Sequence, residues 1–467
     1  MRTLISGGTV VSSSGTIRAD VLVDGERITA VAEPGSDLVT SWAAGADRVI
    51  DATGRYVVPG GIDGHTHMEM PFGGTFSADD FASGTRAAAW GGTTTIIDFA
   101  VQAKGTTLRE NLDTWHGKAD GKCAVDYGFH MIVSDVNELT LKEMDGLVGE
   151  GVTSFKLFMA YPGVFYATDG EILRAMQRAA GNGSMIMMHA ENGIAIDVLI
   201  GQALARGETD PAHHGTTRPP DLEGEATSRA IRLAGVAGAP LYIVHLSCEQ
   251  ALMAVASARA DGRNVFAETC PQYLFLTEDD MARPGFEGAK YVASPPLRSS
   301  YHPPKLWRGL RTDTLSVVST DHCPFCFEEQ KEIGLGDFSK IPNGMPGVEH
   351  RMDLIYQGVV NGEISLSRWV DVTATTPARM FGLYPRKGEI MAGADADIVV
   401  YDPAASHTIS ASTHHMSVDY SAYEGRQVRG KVEVVLSRGQ VVVDPDGYHG
   451  EEGHGRFLTR GACQLLQ

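Results

Sequence analysis

The 467 residues are 43% hydrophobic and 21% charged, an ordinary balance for a globular chain with a large core. A formal net charge of −19 argues against a nucleic-acid backbone or an anionic membrane as partner. No stretch approaches the ~20 apolar residues of a membrane span, and the start, Met1-Arg2-Thr3-Leu4-Ile5-Ser6, lacks the apolar centre of a signal peptide. Six cysteines spread over this length make no disulfide framework, so a cytoplasmic location is expected.

Residues 1–55 read as short strands with tight turns: Thr9–Val11, Asp20–Ile28 and Arg48–Asp51, with Asp24-Gly25 as a hairpin signal. The far end is similar, in Asp397–Pro403 and Lys431–Val443. We expect one small β-sandwich built from 1–55 plus 391–447, with two separate satellite sheets as the alternative. Residues 448–467, rich in glycine and charge, read as a tail that is either an intersubunit arm or disordered.

Between them, residues 56–390 alternate short apolar runs with helical segments, the pattern of a parallel sheet built from βα units. Eight strands are expected: 56–63, 93–99, 126–133, 154–159, 185–188, 241–244, 264–267 and 315–319. Eight such units make a (β/α)8 barrel, an α/β fold whose active site lies at the C-terminal ends of the strands.

Those ends carry chemistry. The first run closes on His65-Thr66-His67; in an extended chain residues i and i+2 face one side, so both imidazoles can converge on one metal. The fourth contains Lys156, the fifth runs into His189, the sixth ends at His245 and the eighth at Asp321-His322. A single strand-end histidine is ordinary core; four with an aspartate point to a metal centre. Lys156 sits among Phe155, Leu157 and Phe158, where burial lowers an amine's pKa. A neutral lysine can add carbon dioxide to form a carbamate, a two-oxygen anion able to bridge two metals; pairing with Glu191 or Glu268 is the alternative. His130, His322 and Asp98 lie near strand ends, either around the site or as core. His213-His214 and His414-His415 end no strand, and Cys323 and Cys326 read as free thiols. Phosphate-loop, dinucleotide and serine-hydrolase motifs are absent.

These segments, in this order, resemble the cyclic amidohydrolases of the dihydropyrimidinase (D-hydantoinase) type. The match runs through Pro59–Met68, Pro71–Gly74, Phe155–Tyr161, His189–Asn192, His245–Ser247 and Glu268–Tyr273. It continues in Ala293–Arg298, Ser319–Pro324, Lys340–Gly344 and Gly393–Ile398. The resemblance implies two divalent metals, zinc being the family expectation. His65, His67 and Asp321 would hold one, His189 and His245 the other, with carboxylated Lys156 bridging. It makes Asp321 the general base and then acid, Tyr161 the oxyanion donor, and Ser294 and Asn343 the positions whose backbone holds the cyclic amide. It implies a homotetramer acting on a small cyclic amide. Pro324-Phe325-Cys326 departs from the family pattern, which would have a small polar residue there.

Close relatives separate at one place. Dihydroorotases follow the H-x-H with an arginine for the substrate carboxylate, whereas this chain has Met68-Glu69-Met70-Pro71-Phe72. A ring with a neutral or apolar substituent is therefore expected, and Met68, Phe72 and Phe158 are candidates to line its pocket. An allantoinase-like hydrolase is the nearest alternative. A non-catalytic interaction protein, like the collapsin response mediator proteins, would lack the metal ligands that this chain keeps.

Overall fold

The computed structural model describes residues 1–466. Its centre is an eight-stranded parallel sheet in which each strand pairs with the next along the chain. The barrel strands are Gly61–Thr66, Thr93–Val101, Asp126–Ile132, Ser154–Phe158, Met185–His189, Leu241–Ile243, Val265–Thr269 and Val317–Val318. All but the two shortest of the eight contain five or more residues, and every one of their residues is buried, because helices cover the outer face and side chains fill the interior. Helix starts follow local rules: Asp80, Thr107 and Thr168 cap Phe81–Trp90, Leu108–Ala119 and Asp169–Asn182, each with a reciprocal bond from the third helical residue.

The seam between the eighth and first strands has few backbone pairs and is closed by side chains. A single parallel bridge joins Thr66 to His322. Buried Asp63 accepts from Thr320 N (3.1 Å) and Thr320 Oγ1 (2.6 Å), and Arg351 donates to Val318 O (3.0 Å) and Thr93 Oγ1 (3.1 Å).

The expected strand 56–63 is two strands in different sheets. Tyr56–Pro59 pairs antiparallel with Ile398–Tyr401 in a terminal sheet, and the barrel begins at Gly61. Gly60 donates its N–H to Asp397 O and Gly61 donates to Gly92 O, both at 2.9 Å, so the chain changes sheet within one peptide. Gly60 is pressed so closely on Thr94 that a Cβ there would lie 2.1 Å from Oγ1.

Both termini contribute to one seven-stranded sheet, ordered Gly447–Tyr448, Gln440–Asp444, Gln427–Ser437, Ile398–Thr408, Tyr56–Pro59, Thr9–Ser12 and Gly15–Arg18. A four-stranded sheet of Arg27–Ala32, Asp20–Asp24, Arg2–Ser6 and Arg48–Asp51 lies with it, and one apolar cluster joins Val21 and Val23 to Val57 and Val400. Lys387 fastens this unit to the barrel floor, with Nζ 2.6 Å from Asp126, 3.0 Å from Asp395 and in contact with Asp397. The tail runs beneath its own barrel: Tyr127 N donates to Arg456 O, Leu458 N donates to Tyr127 O, and Arg460 donates to Ser154 Oγ. No helix among the described residues is long and apolar enough to cross a membrane.

Candidate active site

Asp321, following the shortest barrel strand, is a pivot for the two histidines that close the first. Its Oδ1 lies 3.1 Å from His65 Nε2 and 3.2 Å from His67 Nε2, and those two nitrogens are 3.2 Å apart. Lys156 Nζ approaches His65 Nε2 at 3.0 Å from the fourth strand. His189 and His245 meet with ring centroids 4.6 Å apart, and His245 stands 5.4 Å from His65. Six donor side chains from five strand ends thus gather in one buried place.

The histidines are aimed from behind. Glu268, wholly buried, accepts from His65 Nδ1, from His245 N (3.1 Å) and from the Tyr242 hydroxyl (2.9 Å). Glu191 accepts from His189 Nε2 at 2.8 Å, leaving Nδ1 free of it. Both acids that could have paired with Lys156 are thus engaged elsewhere. Asp98 receives Thr66 Oγ1 and Met68 N, both at 2.8 Å, and His322 donates to Asp79 at 3.0 Å. The nearby His130 donates to Gly64 O at 3.0 Å. These groups surround the centre and do not enter it.

Electrostatics follow from dryness. Burial pulls Lys156 down to about 8, against the opposing pull of Asp321; it lowers His67 and pulls His65 and His245 well below their usual range. Burial would raise Asp321, but His65 and His67 outweigh it and hold the carboxyl at about 2. A buried set of imidazoles round a carboxylate suits a divalent cation. His67 Nδ1 and His245 Nδ1 have no hydrogen-bond partner, which fits rings oriented by something other than protein.

Above the six lies a recess lined by Met70, Phe72, Phe158, Phe165 and three linked polar residues. Asn343 Nδ2 donates to the Tyr161 hydroxyl (3.2 Å) and to Ser294 Oγ (3.1 Å). Tyr161 stands edge-on to Phe72, and its phenol is pushed up to about 12, chiefly by burial. Phe72 and Phe158 are where the sequence puts them. Met68 is not: it is buried against Gly84 on the covering helix, and Met70 faces the recess instead. The chain leaves its strand at Thr66, so alternation no longer predicts facing beyond it.

Two features escaped sequence reasoning. Tyr161, His245 and Asp321 adopt left-handed backbone, with φ of 60°, 40° and 52°. Such strain in non-glycine residues concentrates at functional sites, and nothing in residue type announces it here. His214, read as a loop residue, is buried and donates to Ala293 O at 2.8 Å, bracing the turn that carries Ser294. Cys323 borders the recess as a free thiol.

Residues 56–442 match the Amidohydrolase family profile. A D-hydantoinase of Streptomyces coelicolor is 66% identical over 465 residues, covering 100% of this chain and 99% of its own. A D-hydantoinase of Geobacillus stearothermophilus is 49% identical, covering 100% of this chain and 98% of its own. The crystal structure of a dihydropyrimidinase from Brevibacillus agri superposes with a TM-score of 0.96 at 50% identity, over 99% of both chains. With strand ends, recess and whole-length similarity in agreement, the chain belongs to the amidohydrolase family, among the cyclic amidohydrolases of the dihydropyrimidinase and D-hydantoinase type.

Proposed function

We propose that the protein opens the cyclic amide of 5-substituted hydantoins and of dihydropyrimidines, giving N-carbamoyl amino acids; dihydrouracil would give N-carbamoyl-β-alanine. The observation that carries this reading is the meeting of four histidines, a lysine and an aspartate, three of them (His65, His67 and Asp321) close enough to share an ion, beneath a recess whose walls are aromatic and whose polar groups are Tyr161, Ser294 and Asn343. Met70 and Phe72 line the recess, and neither offers a cation to a carboxylate-bearing ring.

In this reading His65, His67 and Asp321 hold one divalent ion, His189 and His245 the other, and Lys156, as its carbamate, both. Zinc is the expected metal, and the nitrogen and oxygen donors also suit manganese, cobalt or iron. Ions held there supply Lewis-acid polarisation and lower the pKa of a water. Asp321 accepts the attacking water's proton and returns it to the leaving ring nitrogen. A carboxylate held at about 2 is ionised and ready as base at any physiological pH. The Tyr161 hydroxyl donates to the carbonyl oxygen as charge develops on it, and the backbone at Ser294 and Asn343 holds the ring amide. Phe72, Phe158 and Phe165 keep water from the ring substituent and favour an apolar one. The same reading carries a cytoplasmic homotetramer, and a terminal unit of 1–55 plus 391–447 beside a catalytic barrel of 56–390 whose first four residues, Tyr56–Pro59, belong instead with the terminal sheet.

The test is a ring-opening panel on hydantoin, 5-phenylhydantoin, dihydrouracil, allantoin and dihydroorotate, with metal content measured on the same sample. Fastest turnover on hydantoins or dihydrouracil, with about two metals per chain, is expected. Preference for dihydroorotate or allantoin, or turnover by metal-free protein, would refute the assignment.

A further inference from the structure

Lys331 is fully buried in the loop that follows the eighth barrel strand, and it meets no carboxylate within ion-pair distance among the described residues. Its three donors go to three backbone carbonyls: Val292 O at 2.9 Å, Pro342 O at 2.7 Å and Gly344 O at 2.8 Å. Burial pulls the amine down to about 7, yet three acceptors at bonding distance are satisfied only by the protonated form, since a neutral amine has two N–H groups. A buried cation is costly, and an apolar side chain of that size would serve packing better.

The three carbonyls belong to the two segments that carry the ring-recognising residues. Val292 lies two positions before Ser294, and Pro342 and Gly344 bracket Asn343. Gly344 N also donates to Val292 O at 3.0 Å, so this oxygen receives both Lys331 and the other segment. The arrangement has little room to shift, because a Cβ on Gly344 would lie 2.2 Å from Cys323 O. Asn343, held between two stapled carbonyls, passes the constraint on through its bonds to Tyr161 and Ser294.

We propose that Lys331 is a positioning residue for ring recognition: by joining Val292, Pro342 and Gly344 it sets the spacing of the backbone at Ser294 and Asn343, and so the affinity for the cyclic amide. This rests on the reading of Ser294 and Asn343 as the groups that hold the ring.

The experiment compares wild type, Lys331→Met and Lys331→Gln in steady-state ring opening, metal content and amide hydrogen exchange of peptides spanning 292–294 and 342–344. In Lys331→Met, KM should rise about tenfold or more while kcat changes less than about threefold, the signature of lost uniform binding. Metal content should stay at the wild-type value, and exchange should speed in both segments together. Lys331→Gln, which returns two N–H donors, should fall between and carries the test if the methionine variant does not fold. Unchanged KM with unchanged exchange, or a kcat loss that follows metal loss, would overturn the proposal. A wild type that opens no ring would instead refute the function, and the exchange comparison would still decide the staple.

Discussion

Glu191 accepts the Nε2 proton of His189 across 2.8 Å, with both side chains 2% exposed. That bond chooses the tautomer and leaves the other nitrogen, Nδ1, free to face a ligand. Glu191→Ala should leave the fold intact and weaken metal binding by about 10–100-fold, the usual loss when a ligand's outer partner goes. Chelator competition on the purified variant measures it. Wild-type affinity would mean that packing against Phe158 alone orients the ring.

Lys156→Ala should lose metal and activity together, because in the proposed centre the bridging group would disappear with the amine. Short carboxylates such as acetate or propionate should restore part of both. Full activity without them would remove Lys156 from the centre.

Tyr161→Phe should lower kcat by ~10²–10³, typical for one oxyanion donor. With its phenol at about 12, Tyr161 stays a donor through pH 10, so an alkaline fall in kcat below that pH should persist unchanged in shape in the variant. Normal turnover by the phenylalanine enzyme would refute the assignment.

Lys387 neutralises a buried acidic group formed by Asp126, Asp395 and Asp397 at the junction of barrel and terminal sheet. Replacing it by methionine leaves those carboxylates without their cation, a change that costs about 3–5 kcal/mol for a broken buried pair. A marked fall in Tm with kcat preserved in the folded fraction is expected. A melting curve that overlays the wild type would show that Arg438, 3.0 Å from Asp126, suffices.

Asp353 is pushed up to about 7 by burial, and its Oδ1 finds no partner. The folded chain therefore keeps this proton where the unfolded chain, ionising near ~3.9, has lost it. Stability contributed by the protonated carboxyl is full below about pH 4 and is lost as pH rises through 7. Asp353→Asn should flatten that part of the stability–pH curve, read from chemical denaturation at pH 5 and 7.5. An unaltered slope would place the proton elsewhere.

Much of the fold was legible because βα alternation repeats along the chain, and several of its helices carry their own caps. The Asp24-Gly25 signal marks a hairpin whose two turn residues are Gly25 and Glu26, between Asp20–Asp24 and Arg27–Ala32. The break after Pro59 was not legible as a change of sheet, since Tyr56–Thr66 is equally strand-like on both sides and only the partners differ. In the site, all nine residues singled out lie at the mouth or just beneath it. Met68 was misplaced because alternation fails where the strand ends.

The sequence by itself determined the kind of chemistry: four histidines, a lysine and an aspartate sit in or follow strand-forming runs that announce their own ends. Tertiary structure alone decided how tightly those donors converge, which nitrogen each histidine presents, and how the recognition loops are held. Asp321 meets His65 across a sequence separation of 256, and Lys331 reaches Val292 across one of 39. Such contacts depend on closing the barrel and desolvating its mouth, and no local periodicity encodes them.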